Sequence, residues 1–268
     1  MNHPFLERTP EKPDILAEEV AQLFKQSSMS RTFVTPSGPT GRCVTFTLRD
    51  IVGRVARSKR LNDAVMDAAL WHVSKYRTNC YAVDAVSVAD EKMFYPDYPL
   101  ASCNFVLVPI HMKALEHWMV QIVEIQMSDE DTNKHKIWAT FYDPLDVSSN
   151  LEVCEAIWIS FTLPLLQEWF ERDRGREKLL NLQAKSRRAS SKTITASEVN
   201  TDSAPPAPQR VLPEVVTVPL LYPKQDDAVS CGILSIAQAY SYVSHVRSLK
   251  TSKSISQNDL AQMRLRLL

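Results

Sequence analysis

Cys231 is preceded by the polar stretch Gln225-Asp226-Asp227-Ala228-Val229-Ser230 and followed by Gly232 and the apolar run Ile233-Leu234-Ser235-Ile236-Ala237. That layout places a thiol at the start of a buried helix, where the positive end of the helix dipole favours the thiolate. A thiolate is a nucleophile, and acyl transfer further needs a base, a group that orients the base, and donors for the oxyanion. Without such partners the same cysteine is a small core residue. Six histidines could serve as base. His111, His135, His72, His3 and His245 have no feature that lifts them above solvated or core-satisfied histidines. His117 does, because of Asp143. His117 precedes an apolar segment at 118–125, Asp143 ends another at 136–142, and a polar stretch lies between them. Paired as an antiparallel hairpin, these segments bring Trp118 and Tyr142 together at the open end. The sequence separation of 26 between His117 and Asp143 then becomes a short distance in space. The histidine can take the thiol proton, while the carboxylate fixes its tautomer and steadies the imidazolium. Gln225, six residues before the cysteine, can offer a side-chain amide to a developing oxyanion. The backbone N–H of Cys231 is a second donor.

The elements that must position these groups follow from periodicity. Residues 44–48 alternate and are β-branched, which predicts a short strand. Residues 49–57 predict a helical turn or two, and Asn62-Asp63 caps a helix over 64–76. Residues 82–88 alternate like a strand or an extended connector. Residues 104–110 are almost wholly apolar and read as a strand inside a sheet. Asn150 is a candidate cap for a long helix whose buried stripe runs Leu151, Cys154, Trp158, Phe161, Leu165 and Trp169, with Pro164 kinking or restarting it. Residues 215–220 read as another strand, the cysteine helix extends to about 247, and 250–268 can form one more amphipathic helix.

Two stretches differ in composition. Residues 1–40 form a flexible lead-in, with a possible helical piece at 13–26. Residues 174–213 combine a basic, serine-rich run around Arg187-Arg188-Ala189-Ser190 with the proline-rich Ala204-Pro205-Pro206-Ala207-Pro208, and are expected to be a disordered insertion. One domain is expected over 41–268.

The bulk properties exclude several function classes. Hydrophobic residues make up 44% and charged residues 23%, the composition of an ordinary globular protein. A formal net charge of +0 removes the electrostatic argument for nucleic acid as main partner. The longest apolar runs are strand-sized, far short of the roughly 20 residues of a membrane span. The five cysteines are odd in number and lack Cys-x-x-Cys spacing, which argues against a disulfide framework or a structural zinc site. No metal or organic cofactor is expected. The N-terminus lacks a signal-peptide layout, so an intracellular monomer in nucleus or cytoplasm is expected.

The order His117-Trp118, then Tyr142-Asp143-Pro144-Leu145, then Gln225 six residues ahead of Cys231-Gly232, resembles the ubiquitin-like protease family, the SUMO-specific proteases and their relatives. Arg60-Leu61-Asn62-Asp63 looks like that family's Trp-Leu-Asn-Asp helix start, and Val108-Pro109-Ile110-His111 is similar to its strand before the histidine. The resemblance covers residues 42–247 without the insertion. It implies an α+β, papain-like cysteine protease fold: a mixed, mostly antiparallel central sheet flanked by helices, with the Cys231 helix facing the sheet edge. It also implies His117 as base, Asp143 as orienter, Cys231 as nucleophile and Gln225 in the oxyanion hole. Trp118, Arg60 and Asp63 would contact substrate, with Trp118 covering the Gly-Gly tail of a SUMO-type modifier. The implied activity is cleavage after that tail, to process the modifier or release it from protein conjugates. Three departures stand out: Arg60 replaces the usual Trp, Ser230 replaces the usual Asp, and Asp226-Asp227-Ala228-Val229 replaces a Pro-Asn-Gly-Tyr type of turn. They motivate an alternative, an inactive relative that binds a modifier or another protein without cutting it.

Overall fold

The computed structural model describes residues 32–34, 43, 45–47, 50–55, 59–76, 79–127, 136–191, 212–245, 249 and 255–266. The helical piece expected at 13–26 lies outside them.

Thr32–Val34 (β1), inside the expected lead-in, pairs antiparallel with Thr45–Thr47 (β2) in a small sheet of their own. One π turn, Ile51–Val55, follows. Asn62 then caps the helix Asp63–Lys75 (α1), accepting at 3.1 Å from the Val65 N–H. The alternating 82–88 segment is not one extended piece. Cys80–Ala82 is a strand (β3), and Asp84 turns the chain into a short helix, Ala85–Ala89 (α2). Asp84 accepts from Ser87 N–H, and buried Asp67 accepts from Ala85 N–H at 2.8 Å, so two carboxylates fix the helical turn. Alternation alone carries no trace of those caps.

Phe105–Met112 (β4), His117–Gln126 (β5) and Lys136–Tyr142 (β6) form the antiparallel heart of a five-stranded sheet. Val215–Leu220 (β7) joins β6 in parallel, and β3 joins β4 in parallel, giving the order β3-β4-β5-β6-β7. The sheet is mixed, with antiparallel pairs at its centre, as expected.

Because strand side chains alternate, β5 feeds two cores. Trp118, Val120 and Ile122 point into one, shared with α1, the helix Cys231–Val243 (α5) and the helix Gln257–Leu265 (α6). Met119, Val123 and Ile125 point into the other, shared with the helices Ser148–Ile157 (α3) and Leu163–Ser191 (α4). A π turn at Trp158–Thr162 joins α3 to α4 with helical backbone on both sides, and Pro164, which cannot donate to the preceding turn, follows it directly. Helix α4 runs through residues 174–191, so the boundary expected at 174 falls inside a helix.

All thirteen residues of α5 are buried. It crosses the face of the sheet over β5, with Ser235 Oγ 3.4 Å from the Trp118 carbonyl, and does not lie at the sheet edge. A helix this rich in apolar residues all round has to be covered on every side, and the face offers more cover than the edge. Gly232 permits the close approach of α5 to the start of α1. A Cβ there would sit 3.1 Å from Leu61 Cγ and Cδ1.

Candidate active site

The β5–β6 register pairs Val120 with Tyr142. Continued one step, it sets Asp143 opposite 119 and leaves His117 two residues on, on the same face, where diagonal neighbours are within reach. The two side chains meet: His117 Nε2 and Asp143 Oδ1 are 2.6 Å apart, with side-chain exposures of 3% and 1%. Since Asp143 occupies Nε2, Nδ1 is the nitrogen left for the thiol of Cys231, which lines the same cleft as His117. Three groups from three parts of the chain are thus assembled: His117 from β5, Asp143 after β6 and Cys231 from the N-terminus of α5.

Asp143 is itself tightly held. Its Oδ1 also accepts from Leu145 N–H at 3.0 Å. Its Oδ2 accepts from Val147 N–H and Asn150 Nδ2 at 3.0 Å each. Burial raises the carboxyl pKa, but these four donors outweigh it and hold it below the ordinary value. Asn150 therefore does not cap α3. Val147 is the cap position, and Asn150, buried in the first turn, orients the orienter. Its position seven residues after Asp143 is a signal that spacing arguments missed. Gln225 N–H donates to Pro144 O at 2.8 Å and Lys224 pairs with Asp146, which ties the Asp143 loop to the approach to Cys231.

Burial alone would lower the His117 pKa, but Asp143 and Cys231 overcome it and raise the value to about 9. The ring is then an imidazolium at neutral pH, able to balance a thiolate and to give a proton to a leaving amine. A stability consequence follows from the sign of the shift. A histidine raised from 6.5 to about 9 adds stability in full below 6.5 and loses it as pH climbs through about 9. We expect the urea midpoint to fall across that window and the slope to flatten in His117→Asn. An equal slope in both proteins would contradict the coupling. The other buried thiols have no such partner. Burial pushes Cys103 and Cys154 up to about 12 and raises Cys80 as well.

His117 and Cys231 line a cleft of about 440 Å³ together with Gln225, the 226–228 turn, Arg60, Leu115, Glu116 and Leu145. Gln225 lines the cleft, but its Nε2 donates to Asp227 O at 2.5 Å while its Oε1 is buried without a partner. Presenting the amide to an oxyanion requires that side chain to turn. Arg60 crosses the mouth. Its Nε donates to Ala228 O at 2.8 Å and its Nη1 to Glu116 Oε2 at 2.6 Å. Glu116 was not visible as a partner in the sequence; its φ of 47° marks the turn that carries it there.

Trp118 lies behind the cleft and does not line it. Its side chain is 0% exposed, stacked on His111 at 4.2 Å, with Nε1 donating to Leu61 O at 2.9 Å. Direct contact with a substrate would require this packing to open, so the substrate-contact expectation for Trp118 does not describe this conformation. Asp63 opens α1 outside the cleft lining, its Oδ1 3.4 Å from His111 Nδ1. Among the described residues, no cluster of His, Cys, Asp and Glu could hold a metal ion, and no helix is long and apolar enough to cross a membrane.

No protein-family model matches the chain, and no curated protein sequence matches it significantly. Solved structures do. The C-terminal Ulp1 protease domain, solved in complex with Smt3, the yeast ortholog of SUMO, superposes with a TM-score of 0.55 at 14% identity, covering 97% of this chain and 93% of its own. The chain has the Ulp1-type protease fold. The Ulp1-like SUMO protease catalytic domain of Chaetomium thermophilum gives a TM-score of 0.52 at 13% identity, covering 97% and 87% of the two chains. The SUMO protease Ulp1 with its catalytic cysteine oxidised to a sulfinic acid gives 0.51 at 15% identity, covering 98% and 94%. At 13–15% identity the likeness is one of fold.

Proposed function

We propose that this protein is a cysteine protease that cleaves after the C-terminal glycine of a SUMO-type ubiquitin-like modifier, processing it or releasing it from conjugates. The observation that carries the reading is the buried His117–Asp143 hydrogen bond beside Cys231, which lines the same cleft as His117. The fold supports it, because structures sharing that fold are SUMO proteases, one of them solved with a SUMO ortholog bound.

The steps follow from the positions of the groups. The Cys231 thiolate attacks the carbonyl of the terminal glycine, and the carbonyl oxygen becomes an oxyanion beside the Cys231 N–H and a turned Gln225. The C–N bond breaks, His117 gives its proton to the leaving amine, and a thioester remains on Cys231. Water, deprotonated by the now neutral His117, attacks the thioester and frees the glycine carboxylate and the thiol. Asp143 keeps the ring in one tautomer throughout.

The second reading, a module that binds without cutting, is favoured by the Arg60–Glu116 pair over the cleft and by the engaged Gln225 amide. Incubation with a panel of ubiquitin-like modifiers carrying C-terminal electrophiles decides between them. We expect a covalent adduct on at least one SUMO-type modifier, absent in Cys231→Ser. A folded protein that binds a panel member without any adduct supports the binding module.

A further inference from the structure

We infer that Arg264 is a positioning residue for the Cys231 nucleophile: a buried guanidinium on α6 that fixes the turn leading into α5 and supplies positive charge next to the thiolate. The inference rests on the reading of Cys231 as nucleophile.

Arg264 is 5% exposed, unusual for a side chain that stays charged. Its Nη1 donates to Lys59 O at 3.0 Å and Arg54 O at 3.4 Å. Its Nη2 donates to Val229 O at 3.2 Å and Ser230 Oγ at 3.3 Å. One guanidinium thus joins the segment before α1, the turn before Cys231 and the C-terminal helix. These contacts lie on both flanks of the cleft, since Arg60 follows Lys59 and Ala228 precedes Val229.

All four of these acceptors are neutral oxygens. A buried cation needs a negative charge nearby or it is costly. Two are within electrostatic reach, Asp227 and Cys231, and both act against the burial that lowers the Arg264 pKa. Asp227 is already committed: its Oδ1 accepts from Val229 and Ser230 N–H at 2.9 and 2.8 Å, and its Oδ2 from Ser230 Oγ at 2.6 Å. Ser230, where an acidic residue would otherwise precede the nucleophile, links that carboxylate to the guanidinium. The turn that departs from the family pattern is therefore built from a different set of charges.

Other titratable groups face the thiol as well. His117 comes from β5, and Tyr142 from the end of β6. Asp226, Arg60 and Glu116 stand around the cleft, the last two paired with each other. Of these, Arg264 is the buried cation that cannot lose its proton near neutral pH.

The test is the pH–rate profile of Cys231 alkylation by chloroacetamide in the full chain, read by mass spectrometry with exposed Cys43 as internal reference. In Arg264→Gln we expect the profile to move up by about one pH unit and the rate below neutrality to fall about tenfold, the lower end of what one nearby opposite charge does. In Arg264→Lys, which keeps the charge but not the fork, we expect the profile to stay in place while the melting temperature drops. A folded Arg264→Gln with the parent profile overturns the inference and leaves the protease reading standing. Should Arg264→Gln not fold, a full-unit shift in Arg264→Lys overturns it instead. Parent Cys231 reacting no faster than Cys43 overturns both readings together.

Discussion

Asp143→Asn is expected to lower kcat/KM for hydrolysis of a modifier C-terminal amide by about 10³–10⁴-fold, the scale on which triads respond to this change. The geometry says how the loss arises. Asp143 receives four donors, two on each oxygen. An amide offers one oxygen. With that oxygen at the Oδ1 position, His117 and Leu145 keep their acceptor, but the negative charge that raises the His117 pKa is gone. The NH2 group then faces Val147 N–H and Asn150, and only the Asn150 amide can turn to accept from it. With the amide reversed, its NH2 faces His117 Nε2 and imposes the tautomer whose proton sits on Nδ1, against the thiol. Either way a backbone donor is left unmatched in the interior, worth about 1–3 kcal/mol of stability. Kinetics and a melting curve on one preparation separate the two losses. Asn150→Ala is the control: it removes one donor and leaves the charge, so its activity should stay within about tenfold of the parent. A folded Asp143→Asn with activity near the parent value would remove Asp143 from the orienter role.

How far the site was legible depends on how locally each feature is encoded. The hairpin was legible because period-two alternation and a polar loop need only neighbouring residues, and it carried the His117–Asp143 pairing with it. The start of α5 was legible because a polar turn followed by an all-apolar helix is a local pattern. The α2 turn was not, because its caps include Asp67, 18 residues away. Helix α4 was cut short at 174 because a basic, polar run reads as linker whether or not it is helical. Arg264 lies 33 residues beyond Cys231 on a separate helix, and nothing in its own neighbourhood marks it. Arg60 was visible as a departure, but its partners Ala228 and Glu116 come from two other parts of the chain. The consequence for the cleft is physical: a flat aromatic wall excludes side chains by shape, whereas a half-exposed ion pair excludes them weakly and can be displaced.

Trp118→Ala is expected to cost about 3–5 kcal/mol, a large share of a domain's total stability. The ring is 0% exposed, stacks on His111, and ties β5 to the residue before the α1 cap through Leu61 O. Removing it opens a cavity under the same Leu61 that packs against Gly232, so the damage reaches the base of the nucleophile helix. Trp118→Phe is the sharper probe. It retains most of the packing but leaves the Leu61 carbonyl without its donor, a loss of about 1–3 kcal/mol. If Trp118 acts from behind the cleft, urea midpoint and labelling by a modifier electrophile should decline together, and labelling should recover under conditions that restore the fold, such as lower temperature or added osmolyte. If instead the ring swings out to cover a substrate tail, Trp118→Phe should lose labelling even under conditions that restore the fold. That second outcome would mean that the His111 stack is a resting position, broken each time a modifier tail enters past Arg60.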